Sequence, residues 1–358
     1  MSTILSNRVQ KVKPSATMAV SDKAKELKSQ GIQIISMGSG EPDFDTPTNI
    51  QKAAIHAIGA GETRYTPADG TAELKKAVCE KFKRENGLDY SANEVMVSCG
   101  GKQVFYNLCQ AILNEGDEVI IPSPYWVSYP DMAILADATP VFIDAGLDQD
   151  FKISPEQLEA SITSKSKLLV LNSPSNPTGS VYSRSEIEAL GVVLERHPNV
   201  FIISDDIYEH IRWGDDEFVN IAMACPKLKD RTVILNGVSK AYAMTGWRIG
   251  YAAGPGAVIK AMKKIQGQST SNPSSISQAA ALEAISGDQS FIKMMVEAFE
   301  RRHEFLVESL NAIDGIECPR SGGAFYSFPR VQGLIDRIGL KDDVEFSTYC
   351  LRSEERRV

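Results

Sequence analysis

The strongest constraint in this 358-residue chain is a series of short apolar runs separated by stretches of helical periodicity. The runs at 167–171 (KLLVL), 200–203 (VFII) and 233–235 (VIL) are apolar almost throughout, and shorter ones lie at 94–98, 118–121 and 139–143. A strand with apolar side chains on both faces must be covered on both. Between the runs, 154–161 (opened by Ser154, Pro155 and Gln157) and 185–197 carry helix signals. This alternation predicts an α/β fold with a parallel sheet and helical crossovers. Open sheets of that kind place ligands at the C-terminal ends of their strands. Three of the runs end there in chemically rich strings: NSPSNPTG (172–179), SDDIYEHI (204–211) and NGVSKAYAMTGWRIGY (236–251).

Several residue types in these strings suit one kind of chemistry. Lys240 follows a buried strand, where desolvation disfavours the ammonium and a neutral amine can attack a carbonyl. Arg248, close by, offers the planar fork that holds a phosphate. Asp205 and Asp206 cannot both be buried cheaply without partners. A strand at 94–98 runs into Gly100, Gly101 and Lys102 and then a helix, a recipe for an anion site at a helix N-terminus. Prolines 122, 124 and 130 predict a loop holding Tyr125, Trp126 and Tyr129, and a flat ring held in a loop can stack on an aromatic cofactor. Gly40 follows an apolar run at 32–35 that looks like a short strand, and its bare backbone could approach a ligand closely.

As whole strings, SKAYAMTGWRIGY, NPTG, SDDIYEHI, SCGGKQVFYNL, RYTPADG and GEPDFDTP resemble those of fold-type I, pyridoxal-phosphate-dependent aminotransferases of class I/II. The aspartate or aspartate/prephenate branch is the most similar, with KPSAT at 13–17 in support. The resemblance implies a large domain with a mostly parallel, seven-stranded type of sheet and a small α+β domain. It implies pyridoxal 5'-phosphate bonded to Lys240, with Asp205 facing the pyridine nitrogen and Trp126 covering the ring. Asn176 and Tyr208 would donate to the phenolic oxygen, and Gly100, Gly101, Lys102 and Arg248 would cup the phosphate. Gly40, Trp126, Asn176 and Lys102 would meet the substrate, Lys102 at its distal carboxylate. Tyr65 would reach the neighbouring subunit's cofactor, so a homodimer with shared sites is implied. The reaction implied is amino-group transfer between an amino acid and a 2-oxo acid, with Lys240, Asp205 and Tyr208 as the catalytic set. A lyase on the same fold is the alternative.

The chain divides into an arm and part of the small domain (1–45), a cofactor-binding domain (46–290) and the rest of the small domain (291–358). In the last, Met294, Met295, Phe299, Leu306 and Leu310 have core spacing, and 321–329 (SGGAFYSFP) reads as strand-like. A net charge of -8 argues against a nucleic-acid partner. Scattered cysteines and histidines make no metal case, no run is long enough to span a membrane, and the N-terminus lacks a signal-type apolar core. A cytoplasmic protein of amino-acid metabolism is expected. Family members continue past EERRV with a segment whose arginine grips the substrate α-carboxylate, so a C-terminal truncation, and with it an inactive fragment, is the further expectation.

Overall fold

The computed structural model describes residues 4–12, 16–35, 37–38, 40–214 and 217–352; most of the KPSAT string and the terminal EERRV lie outside the described residues. Seven strands form one sheet: β1 Val95–Ser98, β2 Glu118–Ser123, β3 Thr139–Asp144, β4 Ser166–Asn172, β5 Phe201–Asp205, β6 Thr232–Gly237 and β7 Gly250–Ala253. Their spatial order is β1-β7-β6-β5-β4-β2-β3. From β3 to β6 every pairing is parallel, and β7 runs antiparallel to both β6 and β1.

Burial on both faces explains the continuous apolar strings. On β4, Leu168 and Val170 pack with Phe105 and Leu108 of helix Gly101–Ile112, whereas Leu169 and Leu171 pack with Ile187, Leu190 and Leu194 of helix Arg184–Arg196. On β1, Met96 faces the first group, while Val95 and Val97 meet Leu74, Val78 and Phe82 of helix Ala72–Asn86. The period of two sends each strand's side chains to opposite layers, and each such aliphatic side chain contributes roughly 1.5–3 kcal/mol on burial. Local signals agree with these elements. Ser154 and Gln157 form a reciprocal cap, as do Ser183 and Glu186. Gly87 closes helix Ala72–Asn86 at φ 65°.

Four expectations are corrected. Residues 32–35 form no strand; Ile35 makes an isolated bridge, and Ile34 is held by packing on Ala24 and Leu351. Likewise 321–329 is no strand, since Gly323 makes only a single bridge to Arg212 and packs against Pro174. Tyr129 is not in a loop: β2 continues to Ser123, and helix Ser128–Leu135 begins within the predicted loop. Pro122 is tolerated because β2 pairs with β4 only through Ile120, and Pro130 because a helix's first turn has no use for its missing N–H. Met294 is 53% exposed, because Met295, Phe299 and His303 make the buried stripe of helix Ser290–Asn311. No helix among the described residues is long and apolar enough to cross a membrane.

The register sets the working end of the sheet. Asn172 lies level with Asp205, and Asp205 with Leu235. The ends of β4, β5 and β6 therefore open onto one place.

Candidate active site

At that place is a cavity of about 310 Å³ lined by Gly40, Gly101, Lys102, Trp126, Asn176, Asp205, Tyr208, Lys240 and Arg248, together with Glu41, Tyr129 and Asn172. Lys240 follows β6 in a turn and is half-buried. Its Nζ donates to the Gly40 carbonyl and stands 5.8 Å from the Tyr208 ring centre and 5.6 Å from that of Phe325. Burial lowers its pKa to about 8; Glu41 and Asp205 oppose that shift, and Arg248 adds to it. A usable fraction of free amine therefore exists near neutral pH.

Asp205, at the end of β5, is 4% exposed. Desolvation raises its pKa to about 6, against the Tyr129 hydroxyl that donates to its Oδ2 at 2.5 Å and the Ile207 N–H that donates to Oδ1 at 3.3 Å. Tyr129 also packs edge-on against Trp126, with ring centres 5.2 Å apart. Asn172 ties two loops together: its Nδ2 donates to the Asp205 carbonyl at 2.9 Å, and its Oδ1 accepts from the Asn176 N–H at 2.7 Å. The Asn176 side chain hydrogen-bonds Tyr208, whose hydroxyl lies 2.6 Å from that of Tyr326. Burial, and then Tyr326, hold the Tyr208 phenol well above its ordinary pKa, so it stays protonated.

The third wall is a glycine cup. Gly100 has φ 88°, precedes helix Gly101–Ile112, and no side chain caps that helix. A Cβ on Gly100 would overlap the Arg248 guanidinium, and one on Gly250 would strike the Gly100–Gly101 backbone. An uncapped helix N-terminus beside an arginine, with no room for side chains between them, suits an anion. Lys102 Nζ sits 5.1 Å from the Trp126 ring centre, and burial, with Arg248 adding, lowers its pKa. Tyr65 is 91% exposed and does not line the cavity.

Two cavity residues, Tyr129 and Asn172, and one that buttresses the cavity, Tyr326, are not legible as site residues in the sequence. The prolines around Tyr129 read as a loop, whereas it lies in the first turn of helix Ser128–Leu135 and its N–H donates to the Trp126 carbonyl at 3.0 Å. Tyr326 arrives from the segment read as a strand, and its hydroxyl leaves no space for a Cβ on Gly40. Asn172 ends β4 and carries no local signal.

Residues 32–356 match the family described as aminotransferase class I and II. The chain belongs to that family. It is 56% identical over 357 residues to the aspartate/prephenate aminotransferase of Nitrosomonas europaea, a match covering 98% of this chain and 90% of that protein. Identity to the enzyme of that name from Cereibacter sphaeroides is 55% over 352 residues, covering 97% and 88%. Among solved structures, the aspartate aminotransferase of Rhizobium meliloti superposes with a TM-score of 0.95 at 46% identity, covering 99% of this chain and 90% of that one. The aspartate aminotransferase of Thermus thermophilus with maleate gives 0.87 at 45%, covering 91% and 85%. The fold is accordingly that of the fold-type I aminotransferases, and the chain is an aminotransferase. Aminotransferases of this class depend in general on pyridoxal phosphate.

Proposed function

We propose that this aminotransferase holds pyridoxal 5'-phosphate in the cavity and moves an amino group between aspartate and 2-oxoglutarate. The observation that carries the reading is the convergence of Lys240, Asp205 and the Gly100–Arg248 cup on one cavity. The donor set fits the cofactor: an amine with a lowered pKa for its aldehyde, a buried carboxylate for its ring nitrogen, and an uncapped helix end with a guanidinium for its phosphate. When bound, pyridoxal phosphate supplies an aldehyde that bonds to amines and a ring that accepts the electron pair released at the substrate Cα.

Lys240 Nζ would hold the cofactor through its aldehyde and, once freed, would be the base that takes and returns the proton at the substrate Cα. Asp205, negative where burial makes charge costly, would keep a proton on the ring nitrogen. Asn176 and Tyr208 would donate to the ring oxygen, and Trp126 would cover the ring face. Arg248 and the backbone from Gly100 to Lys102 would hold the phosphate. Lys102, stacked on Trp126 at the cavity wall, offers a cation to a distal carboxylate, and Gly40 brings bare backbone to the substrate. The names carried by the relatives support aspartate as the donor and prephenate as a further acceptor. Exposed Tyr65 suits a role in a partner's site, which requires a homodimer. Residues 46–290 form the large domain in this reading, and the two ends of the chain form the small one.

Incubation with pyridoxal phosphate, aspartate and 2-oxoglutarate tests the reading. The expected outcome is oxaloacetate and glutamate in equal amounts, with no ammonia. Ammonia released from an amino acid without any acceptor would make the protein a lyase and defeat the proposal.

A further inference from the structure

The turn that delivers Asp205 and Tyr208 to the cavity has a second face. After β5, residues 206–211 form two overlapping hydrogen-bonded turns, with the Glu209 N–H donating to the Asp206 carbonyl at 3.0 Å and the Ile211 N–H to that of Tyr208 at 2.8 Å. Asp205 and Tyr208 line the cavity, whereas Asp206 and Glu209 point away from it, toward Asn220 and Lys81. Behind the turn stands Lys81 of helix Ala72–Asn86, with no solvent exposure at all. Its ammonium bonds Glu209 directly and donates to Asn86 Oδ1 at 2.9 Å. Asn86 Nδ2 donates to Glu209 Oε2 at 3.0 Å, and Asn236 Nδ2, from β6, to Oε1 at 2.7 Å. Glu85, Glu209 and His210 converge closely enough to attract a metal ion, but the Lys81 ammonium already supplies the positive charge.

We propose that Lys81 is a positioning residue for amino transfer: by neutralising Glu209 behind the turn, it holds Asp205 and Tyr208 at the cavity in front. Glu209 and Asp206 are both buried acids one turn apart, and Lys81 is the fully buried cation beside them. Burial pushes the Glu209 carboxyl up, yet Lys81, then His210, and the hydrogen bonds from Lys81 and Asn86 bring it below its ordinary range. Without Lys81, the buried Glu209 keeps only the neutral amides of Asn86 and Asn236 and the His210 ring, 3.7 Å away. The turn must then open toward water or take up a proton, and either response shifts the side chains on its front face. The inference rests on the proposed cofactor chemistry and concerns residues that touch neither cofactor nor substrate.

The test compares Lys81→Met, Glu209→Gln and the double variant with the parent. Each is measured for far-UV circular dichroism, melting temperature, affinity for pyridoxal phosphate by fluorescence titration, and kcat and KM for aspartate. Lys81→Met is expected to lose about tenfold or more in cofactor affinity and in kcat, because it strands a buried charge. The double variant, which removes both charges and keeps the volumes, is expected to recover both to within about threefold of the parent. Unchanged affinity and kcat in Lys81→Met overturn the proposal, as does a double variant as impaired as the single one, which would make the loss one of packing. Should Lys81→Met not fold, Glu209→Gln decides: an effect under about twofold overturns the coupling and a larger one supports it. A parent that itself binds no pyridoxal phosphate overturns the cofactor reading as well, so the two failures are distinguishable.

Discussion

Asp205 and Asp206 are neighbours on the chain, are 4% and 1% exposed, and face regions built on opposite rules. On the cavity side, Asp205 has one side-chain donor, the Tyr129 hydroxyl, and otherwise looks toward open volume and Lys240. On the far side, Asp206 accepts from Ser204 Oγ and Asn220 Nδ2, each at 2.6 Å, and Glu209 is enclosed by Lys81, Asn86 and Asn236. Burial raises both aspartates, to about 6 for Asp205 and well above the ordinary range for Asp206, where Glu209 adds to the effect. What separates the regions is therefore saturation rather than burial. On the far side Asp206 and Glu209 find their hydrogen-bond partners within the protein, which fixes the turn. The cavity leaves hydrogen-bonding and charge-pairing capacity for a ligand to complete.

Asn in place of each aspartate tests that contrast most severely. Asp205→Asn removes the charge that a ring nitrogen would pair with, and turnover is expected to fall about 10³-fold in steady-state assays. The cofactor-free protein should respond in the opposite sense. The folded pKa of Asp205, about 6, lies above the ordinary 3.8, so the native state binds this proton more tightly than the unfolded chain does. Below pH 3.8 the group is protonated in both states and has no effect. As pH rises toward 6, ionisation weakens the parent, by up to about 3 kcal/mol above pH 6. Denaturation of the cofactor-free protein at pH 4 and pH 7.5 should show Asp205→Asn gaining on the parent only at the higher pH. Asp206→Asn should leave turnover within about threefold, since residue 206 faces away from the cavity and an amide can still meet Asn220 Nδ2 with its oxygen and Ser204 Oγ with its N–H; a loss as large as that of Asp205→Asn would erase the contrast.

Smaller effects sharpen it. Gly100→Ala puts a methyl group into the Arg248 guanidinium at a φ of 88°, so affinity for pyridoxal phosphate should fall about 10- to 100-fold in an equilibrium titration, with the melting temperature of the cofactor-free protein much less affected. Tyr129→Phe takes the one side-chain donor from Asp205. That carboxyl should then titrate higher than in the parent by carbon NMR of labelled aspartate, and kcat should drop about tenfold at neutral pH. An unmoved carboxyl titration would mean that Tyr129 only packs against Trp126.

The contrast also accounts for what the sequence reveals. The sheet is legible because strands covered on both faces must be apolar throughout, as at 167–171 and 200–203. Asp205 and Lys240 are legible because they close such runs. Tyr326 is not, since its partners Tyr208 and Gly40 are far away in the chain and its own segment has the composition of a strand. Lys81 is hidden more deeply: in KKAVCEKFKREN it looks like one more solvent-facing charge on an amphipathic helix, and Glu209, which makes it internal, lies 128 residues on. Local pattern reports which face is apolar, whereas a buried charge is explained only by a distant one.

The central claim is that Lys240 and Asp205 together make this chain a pyridoxal-phosphate aminotransferase. The most direct test is an absorbance titration of the purified 358-residue protein with pyridoxal phosphate, followed by aspartate alone and then by 2-oxoglutarate, with Lys240→Ala in parallel. The account predicts a band from lysine-bound cofactor in the parent and none in the variant. Aspartate should abolish that band with one equivalent of oxaloacetate formed, and 2-oxoglutarate should restore it. Capture of the cofactor should also quicken as pH rises through about 8, where the Lys240 amine is freed. A parent spectrum identical to that of Lys240→Ala, or a band that aspartate leaves untouched, would contradict it.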